Sequence, residues 1–196
     1  MGNEYKTPHT SQTSQTPQSP HSLNFPHFPH SPIHMIIILI GVSGSGKTTI
    51  GKQLADSLNW QFYDADDFHS AKNIEKMQAA IPLEDSDRIP WLKTIADAFA
   101  KWLQENQNII MACSALKESY RQLLLIDREN IKFIYLKGSF KLIQKRLKKR
   151  ENHFMSERLL KNQFNVLEEP YGIPTVDISK QPGEIVQLIA EILRSF

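Results

Sequence analysis

The 196 residues carry 23 Lys and Arg against 21 Asp and Glu, a formal net charge of +2, and a single cysteine. That balance gives no charge footprint for a nucleic-acid partner, and a lone Cys113 excludes an internal disulfide framework and any cysteine-rich metal site. The length suits one well-buried domain in a reducing compartment, with the cytoplasm as the expected location.

Residues 1–34 are dominated by Ser, Thr, Gln, Pro, His and Asn and close on Pro26, Pro29 and Pro32. Such a composition has too little apolar surface to offset chain entropy, so a disordered tail is expected, followed by one domain over 35–196. The tail has neither the apolar core of a secretory signal nor the Arg-rich amphipathic character of a mitochondrial presequence.

Met35-Ile36-Ile37-Ile38-Leu39-Ile40 is too short to span a bilayer and reads as a buried central strand, so no membrane role is expected. It runs directly into Gly41-Val42-Ser43-Gly44-Ser45-Gly46-Lys47-Thr48, and a helix is predicted over about 47–58. Every fixed position of the G-x-x-x-x-G-K-[ST] phosphate loop is filled, in the strand–loop–helix context that the motif requires. Glycines let backbone N–H groups turn inward around a β-phosphate, and the following helix presents its positive end. The chemistry assigned to the loop is binding of a nucleoside triphosphate by residues 41–49. Lys47 reaches the β- and γ-phosphates, and Thr48 offers its hydroxyl to Mg²⁺.

A second strand over Trp60-Gln61-Phe62-Tyr63 ends in Asp64-Ala65-Asp66. Two residues apart, Asp64 and Asp66 are expected on the same side of an extended chain, with Asp64 suited to the metal's water shell and Asp66 to orienting or deprotonating an attacking hydroxyl. An Asx turn closing the strand is the competing explanation for these acids. A short helix is predicted through residues 73–77. A long one follows, N-capped by Asp87, with Pro90 in its first turn and Ile89, Leu92, Ile95, Phe99, Trp102 and Leu103 on its core face.

Three more buried strands are predicted at 108–113, 131–136 and 175–178, each separated by helical segments, which implies an α/β fold with a five-stranded parallel sheet flanked by helices. Ligands bind outside the carboxyl ends of such strands, so residues 41–48, 64–69 and 113–117 should converge on one crevice. His69, Arg88, Lys117 and Arg121 are predicted at that edge, a donor set suited to an anionic, hydroxyl-rich small molecule. Cys113 reads as a strand-end core residue, since no Ser/His/Asp grouping accompanies it. The basic run 137–150 carries a Phe140, Ile143, Leu147 stripe that leaves Lys141, Lys145, Lys148 and Lys149 on a solvated face. Arg146 and Arg150 are set apart as candidates for a helical lid that brings charge to the phosphates.

Several words of the chain together closely resemble one family: the phosphate loop, Asn73-Ile74-Glu75-Lys76-Met77, Pro82-Leu83 with Asp87-Arg88 and Pro90-Trp91-Leu92, Cys113-Ser114-Ala115-Leu116-Lys117 with Tyr120-Arg121, Phe133-Ile134-Tyr135-Leu136-Lys137-Gly138, and His153-Phe154-Met155 before Gln163-Phe164. From residue 35 onward the chain resembles the gluconokinases, small P-loop kinases related to shikimate and adenylate kinases. The resemblance implies transfer of phosphate from ATP to the C6 hydroxyl of D-gluconate, giving 6-phospho-D-gluconate and ADP, with Mg²⁺, in a cytoplasmic homodimer.

It also implies catalytic roles for Lys47, Asp66 and Arg150, and nucleotide contacts by residues 41–49 and Arg146. Asp66, His69, Arg88, Lys117 and Arg121 fall around the gluconate, and Thr48 and Asp64 at the metal. Ala80-Ile81 and Asn152 stand where many relatives carry glycine, which affects loop geometry without removing a chemical group. A kinase for another small acid or a nucleotide stays open, as does a nucleotide-dependent binding module; the absence of an Asn-Lys-x-Asp word counts against a GTPase.

Overall fold

The computed structural model describes residues 34–79, 81–148 and 157–196. Apart from His34, the N-terminal segment lies outside the described residues, as do Ala80, Lys149, Arg150 and residues 152–155. The elements alternate as β1 (Ile36–Ile40), α1 (Lys47–Leu58), β2 (Gln61–Asp64), a 3-10 turn (Ala65–Phe68), α2 (Ala71–Gln78), α3 (Asp85–Gln104), β3 (Ile109–Ala112), α4 (Glu118–Leu124), β4 (Ile131–Lys137), α5 (Phe140–Lys148), α6 (Glu157–Val166), β5 (Thr175–Asp177) and α7 (Pro182–Leu193).

The sheet is parallel throughout, ordered β2-β3-β1-β4-β5. Its centre, β1, is buried on both faces, which is why its sequence reads as an unbroken apolar run instead of an alternation. Ile37 and Leu39 face a layer built with α1 and α7 through Ile50, Leu54, Ile185 and Ile189. Ile36, Ile38 and Ile40 face the other layer, with Trp91, Leu92, Ile95 and Phe99 of α3 and Leu124 of α4. Two cores on opposite sides of one sheet hold its carboxyl edge rigid, and β1, β3 and β2 end nearly level, with Leu39 beside Ala112 and Ala112 beside Asp64.

Helix α3 begins earlier than its sequence suggests. Glu84 is the N-cap and Asp87 the third helical residue, in a reciprocal capping box in which Glu84 N–H donates to Asp87 Oδ2 at 3.0 Å. Pro90 therefore lies inside the helix, beyond its first turn. It withholds the N–H that would have reached the carbonyl of exposed Ser86, where water can serve in its place. Ile89, expected on the core face, lies on the exposed side. Leu92, Ile95, Phe99 and Trp102 form the buried stripe, with Leu103 packed half-buried beside it.

Candidate active site

The phosphate loop leaves β1 and closes on α1 through Gly46, which caps the helix with φ 97°, a conformation that disfavours any residue with a Cβ. No side chain caps α1 and no acid occupies its first turn, so the helix's positive end faces the loop's concavity. At Gly44, with φ 82°, a Cβ would sit 3.0 Å from Ile143 and Leu147, so this glycine also lets α5 lie directly on the loop. The Ser45 hydroxyl is 1% exposed and has no partner within the protein, a buried donor that a phosphate oxygen would satisfy. Lys47 Nζ donates to the Gly41 and Val42 carbonyls at 3.0 and 3.1 Å, which folds its ammonium over the loop.

Thr48 Oγ1 donates to Asp64 Oδ2 at 2.8 Å, joining the first turn of α1 to the end of β2. The other Asp64 oxygen accepts from the Asp66 N–H at 3.2 Å and caps the 3-10 turn. Asp64 is thus both an Asx-type cap and a carboxylate beside the Thr48 hydroxyl. Asp66 lies within that turn and not on an extended chain, because the cap bends the backbone immediately after the strand. A hydroxyl and one carboxylate make a sparse oxygen set, of the kind Mg²⁺ uses when phosphates and water complete its octahedron. Among the described residues there is no cluster of three His, Cys, Asp or Glu side chains that could enclose a metal without such help.

Asp66 points its carboxylate into the crevice. The side chain is 80% exposed at its surface, with the charges of Asp64, Lys47, Asp67 and Arg88 acting on it. Its pKa is raised above the ordinary carboxylate value by desolvation first and then by the Asp64 charge, against the lowering pull of Lys47 and Arg88. The turn is held from behind, where Trp91 Nε1 donates to Ala65 O at 2.8 Å.

His69 stacks on Trp91 at 4.3 Å between ring centroids and 16° between planes, and its side chain is only 3% exposed. Asn73 Nδ2 donates to Asp87 O at 3.0 Å, which fixes the orientation of its amide and aims its second proton at His69 Nδ1, 3.4 Å away. That assigns the ring proton to Nε2, which lies 3.9 Å from Asp66 Oδ1. Burial first and the Arg88 charge second push the imidazole pKa down from 6.5 to about 4. The folded protein therefore refuses a proton that the unfolded chain accepts below pH 6.5. Stability is complete above 6.5 and falls as pH drops toward 4, by about 3 kcal/mol at most. Thermal melts between pH 7 and 4 should show that loss in the wild type and a smaller one in His69→Phe, which keeps the stack on Trp91.

Arg88 Nε donates to Leu83 O at 3.3 Å, and its charge acts on Asp66, His69, Asp85 and Tyr120, which places it among them. Lys117 Nζ donates to both oxygens of Asp85 at 2.7 and 2.8 Å, and Tyr120 Oη donates to Asp85 Oδ1. These bonds, Lys117's first, hold the Asp85 pKa below the carboxylate norm, and the same pair raises that of Lys117. Asp85, Tyr120, Trp91 and Asn73 belong to this cluster and were not foreseen as site residues; the acidic run Glu84-Asp85-Ser86-Asp87 was the available signal for the first of them.

Arg121 is placed differently from the others. Its guanidinium is 2% exposed and is engaged by Glu118, by the Ala115 and Leu116 carbonyls and by Glu168 O. It supports the turn that leads to Lys117 and does not present donors to the crevice. Cys113 is fully buried, and burial pushes its thiol up to about 12, a core residue with no thiolate to offer. Arg146 donates to Ile178 O and lines a groove beside the loop with Gly44, Gly46, Thr49 and Ile185. Arg150 lies outside the described residues.

The chain is similar to known proteins over most of its length. The family model described as shikimate kinase matches residues 43–190. A probable gluconokinase of Dictyostelium discoideum is 43% identical over 82% of this chain and 86% of its own length. The thermoresistant gluconokinase of Escherichia coli (strain K12) is 41% identical over 82% of this chain and 94% of its own. Among solved structures, a gluconokinase from Sinorhizobium meliloti 1021 is 35% identical with a TM-score of 0.73, covering 83% of this chain and 97% of that one.

Proposed function

The chain belongs to the gluconokinase family of P-loop kinases, and from that premise we propose that it transfers the γ-phosphoryl group of ATP to the C6 hydroxyl of D-gluconate, giving 6-phospho-D-gluconate and ADP. The observation that carries this reading is the position of Asp66. A carboxylate of raised pKa lies within the electrostatic reach of both the phosphate-loop Lys47 and Arg88, with His69 Nε2 3.9 Å from its Oδ1.

Phosphoryl transfer leaves the protein little covalent work, so positioning and neutralisation of charge supply most of the rate. The N-terminus of α1, the loop N–H groups and the Ser45 hydroxyl would seat the β-phosphate, with Lys47 swinging from the Gly41 and Val42 carbonyls onto the β- and γ-oxygens. Arg146, beside Gly46, would add positive charge on the donor side. Thr48 and Asp64 would hold Mg²⁺, and when bound the cation draws charge from the phosphate oxygens as it accumulates.

Asp66 would accept the proton of the C6 hydroxyl and align its oxygen with the γ-phosphorus. Its raised pKa strengthens it as a base. Neutral His69 would donate from Nε2 to a substrate oxygen, and Arg88 and Lys117 would supply charge toward the sugar acid. Arg121 would act through the turn it supports. Among the described residues no helix is long and apolar enough to cross a membrane. The enzyme is proposed to work as a cytoplasmic homodimer without nucleic-acid or membrane partners, a reading that rests on the family resemblance.

A coupled assay of ADP release, run with and without gluconate and beside shikimate, other aldonic acids and nucleoside monophosphates, tests the reaction. Gluconate-dependent ADP release with one phosphorylated acid as product is the expected result. Equal release without an acceptor, or preference for another member of the panel, overturns it.

A further inference from the structure

The phosphate loop is gripped from a point 120 residues away. The Ser43 N–H donates to Gln163 Oε1 at 2.7 Å, and Gln163 Nε2 donates to Ser43 Oγ at 3.0 Å. A side-chain amide presents an acceptor and a donor side by side, so one residue satisfies both polar groups of Ser43 at once. Gln163 lies on α6, which is tied to α5 by the edge-to-face contact of Phe164 with Phe140, 5.3 Å between centroids.

The chain behind α6 then grips the other half of the site. Leu167 packs against both cores. The Glu168 N–H donates to Leu116 O at 2.9 Å, the Glu118 N–H donates to Glu168 Oε2 at 2.6 Å, and Arg121 donates to Glu168 O at 3.0 Å. One short stretch, 163–168, thus fastens the donor loop at one end and the turn that delivers Lys117 at the other.

A loop with three glycines at positive φ does not hold one shape by its own preferences. Its inward N–H groups bind phosphate well only when they are already arranged, because rearrangement on binding subtracts from affinity. The Ser43 N–H is committed to Gln163 and so serves the loop's shape. We propose that Gln163 is a positioning residue for ATP, which sets the phosphate loop through Ser43, while Glu168 at the far end of the same strap sets the acceptor turn. The acceptor half of this proposal rests on the gluconate kinase reading; the nucleotide half does not.

The test uses Gln163→Met, which keeps volume and removes both bonds, together with Ser43→Ala, the double variant and Glu168→Ala. Direct calorimetric titration with ADP should show about tenfold weaker binding for Gln163→Met, the loss expected of two neutral hydrogen bonds. KM for gluconate should stay within about twofold. The double variant should bind ADP no more weakly than Gln163→Met, since the Ser43 hydroxyl has nothing left to lose. Glu168→Ala should do the reverse, raising KM for gluconate several-fold with ADP affinity unchanged.

Wild-type ADP affinity in Gln163→Met, additive losses in the double variant, or parallel losses of both ligands with a lowered melting temperature each overturn the proposal. If wild type turns over no gluconate while Gln163→Met still loses ADP, the acceptor assignment fails and the grip on the loop stands.

Discussion

Asp66→Asn is expected to lower kcat with gluconate by about 10³-fold, within the range found when a general base is removed. Asparagine keeps the size and shape of the side chain and leaves the Asp66 N–H on Asp64, so the 3-10 turn should survive. What goes is the ability to take a proton. The wild-type acid limb of kcat/KM should follow Asp66, rising with pH through a pKa above the ordinary 3.8. In the variant that limb should flatten.

Stability should move little, and in a direction that can be worked out. Since folding raises this pKa, protonation favours the folded state at low pH, and that contribution is lost as pH rises through the folded value. At neutral pH the ionised carboxylate is the disfavoured form, so a neutral asparagine should melt at the same temperature or slightly higher. ADP affinity should be retained. A kcat within tenfold of wild type, with this melting behaviour, would remove Asp66 from the reaction.

Lys47→Ala should reduce kcat by about 10³-fold or more and, unlike the aspartate variant, also weaken nucleotide binding. The ammonium is the one lysine held inside the loop, on the Gly41 and Val42 carbonyls, a short swing from the phosphate oxygens. It acts on ground state and transition state alike, and more strongly as γ-phosphoryl charge builds. Titration with ADP beside steady-state kinetics separates the two effects. Loss of affinity with kcat retained would mean that Lys47 binds phosphate without stabilising its transfer.

Parts of this site could be read in the chain because local chemistry specifies them. Residues 41–48 spell out a backbone path and a helix start, and no distant contact is needed to recognise them. Strands β1 and β3 were legible for a related reason, since runs buried on both faces admit few other structures, whereas β2 and β5 are partly exposed. The order of the strands was not legible, because an apolar run records that a strand is covered and not which strand lies beside it.

The start of α3 was displaced because Asp87 and Glu84 are both capable caps. Glu84 prevails through a reciprocal bond that single-residue preference does not reveal. The donors at the crevice were harder still. Sequence shows that Lys117 and Arg121 carry charge, but only the folded chain shows that Asp85, itself held by Tyr120, pairs with the first and that backbone carbonyls consume the second. Gln163 stood out only as part of a family word, and nothing local showed that its partner, Ser43, is across the molecule.

The level ends of β1, β3 and β2 work as a ruler. With β3 inserted between them, the strands that launch the donor loop and the Asp64, Asp66 pair stand two ladder spacings apart, about 10 Å. Peptide hydrogen bonds fix that length, so drift in the surrounding side chains cannot stretch it. Divergence or redesign toward a new acceptor is thereby confined to the turns beyond β2 and β3, where side chains can be exchanged while the phosphate donor stays in register.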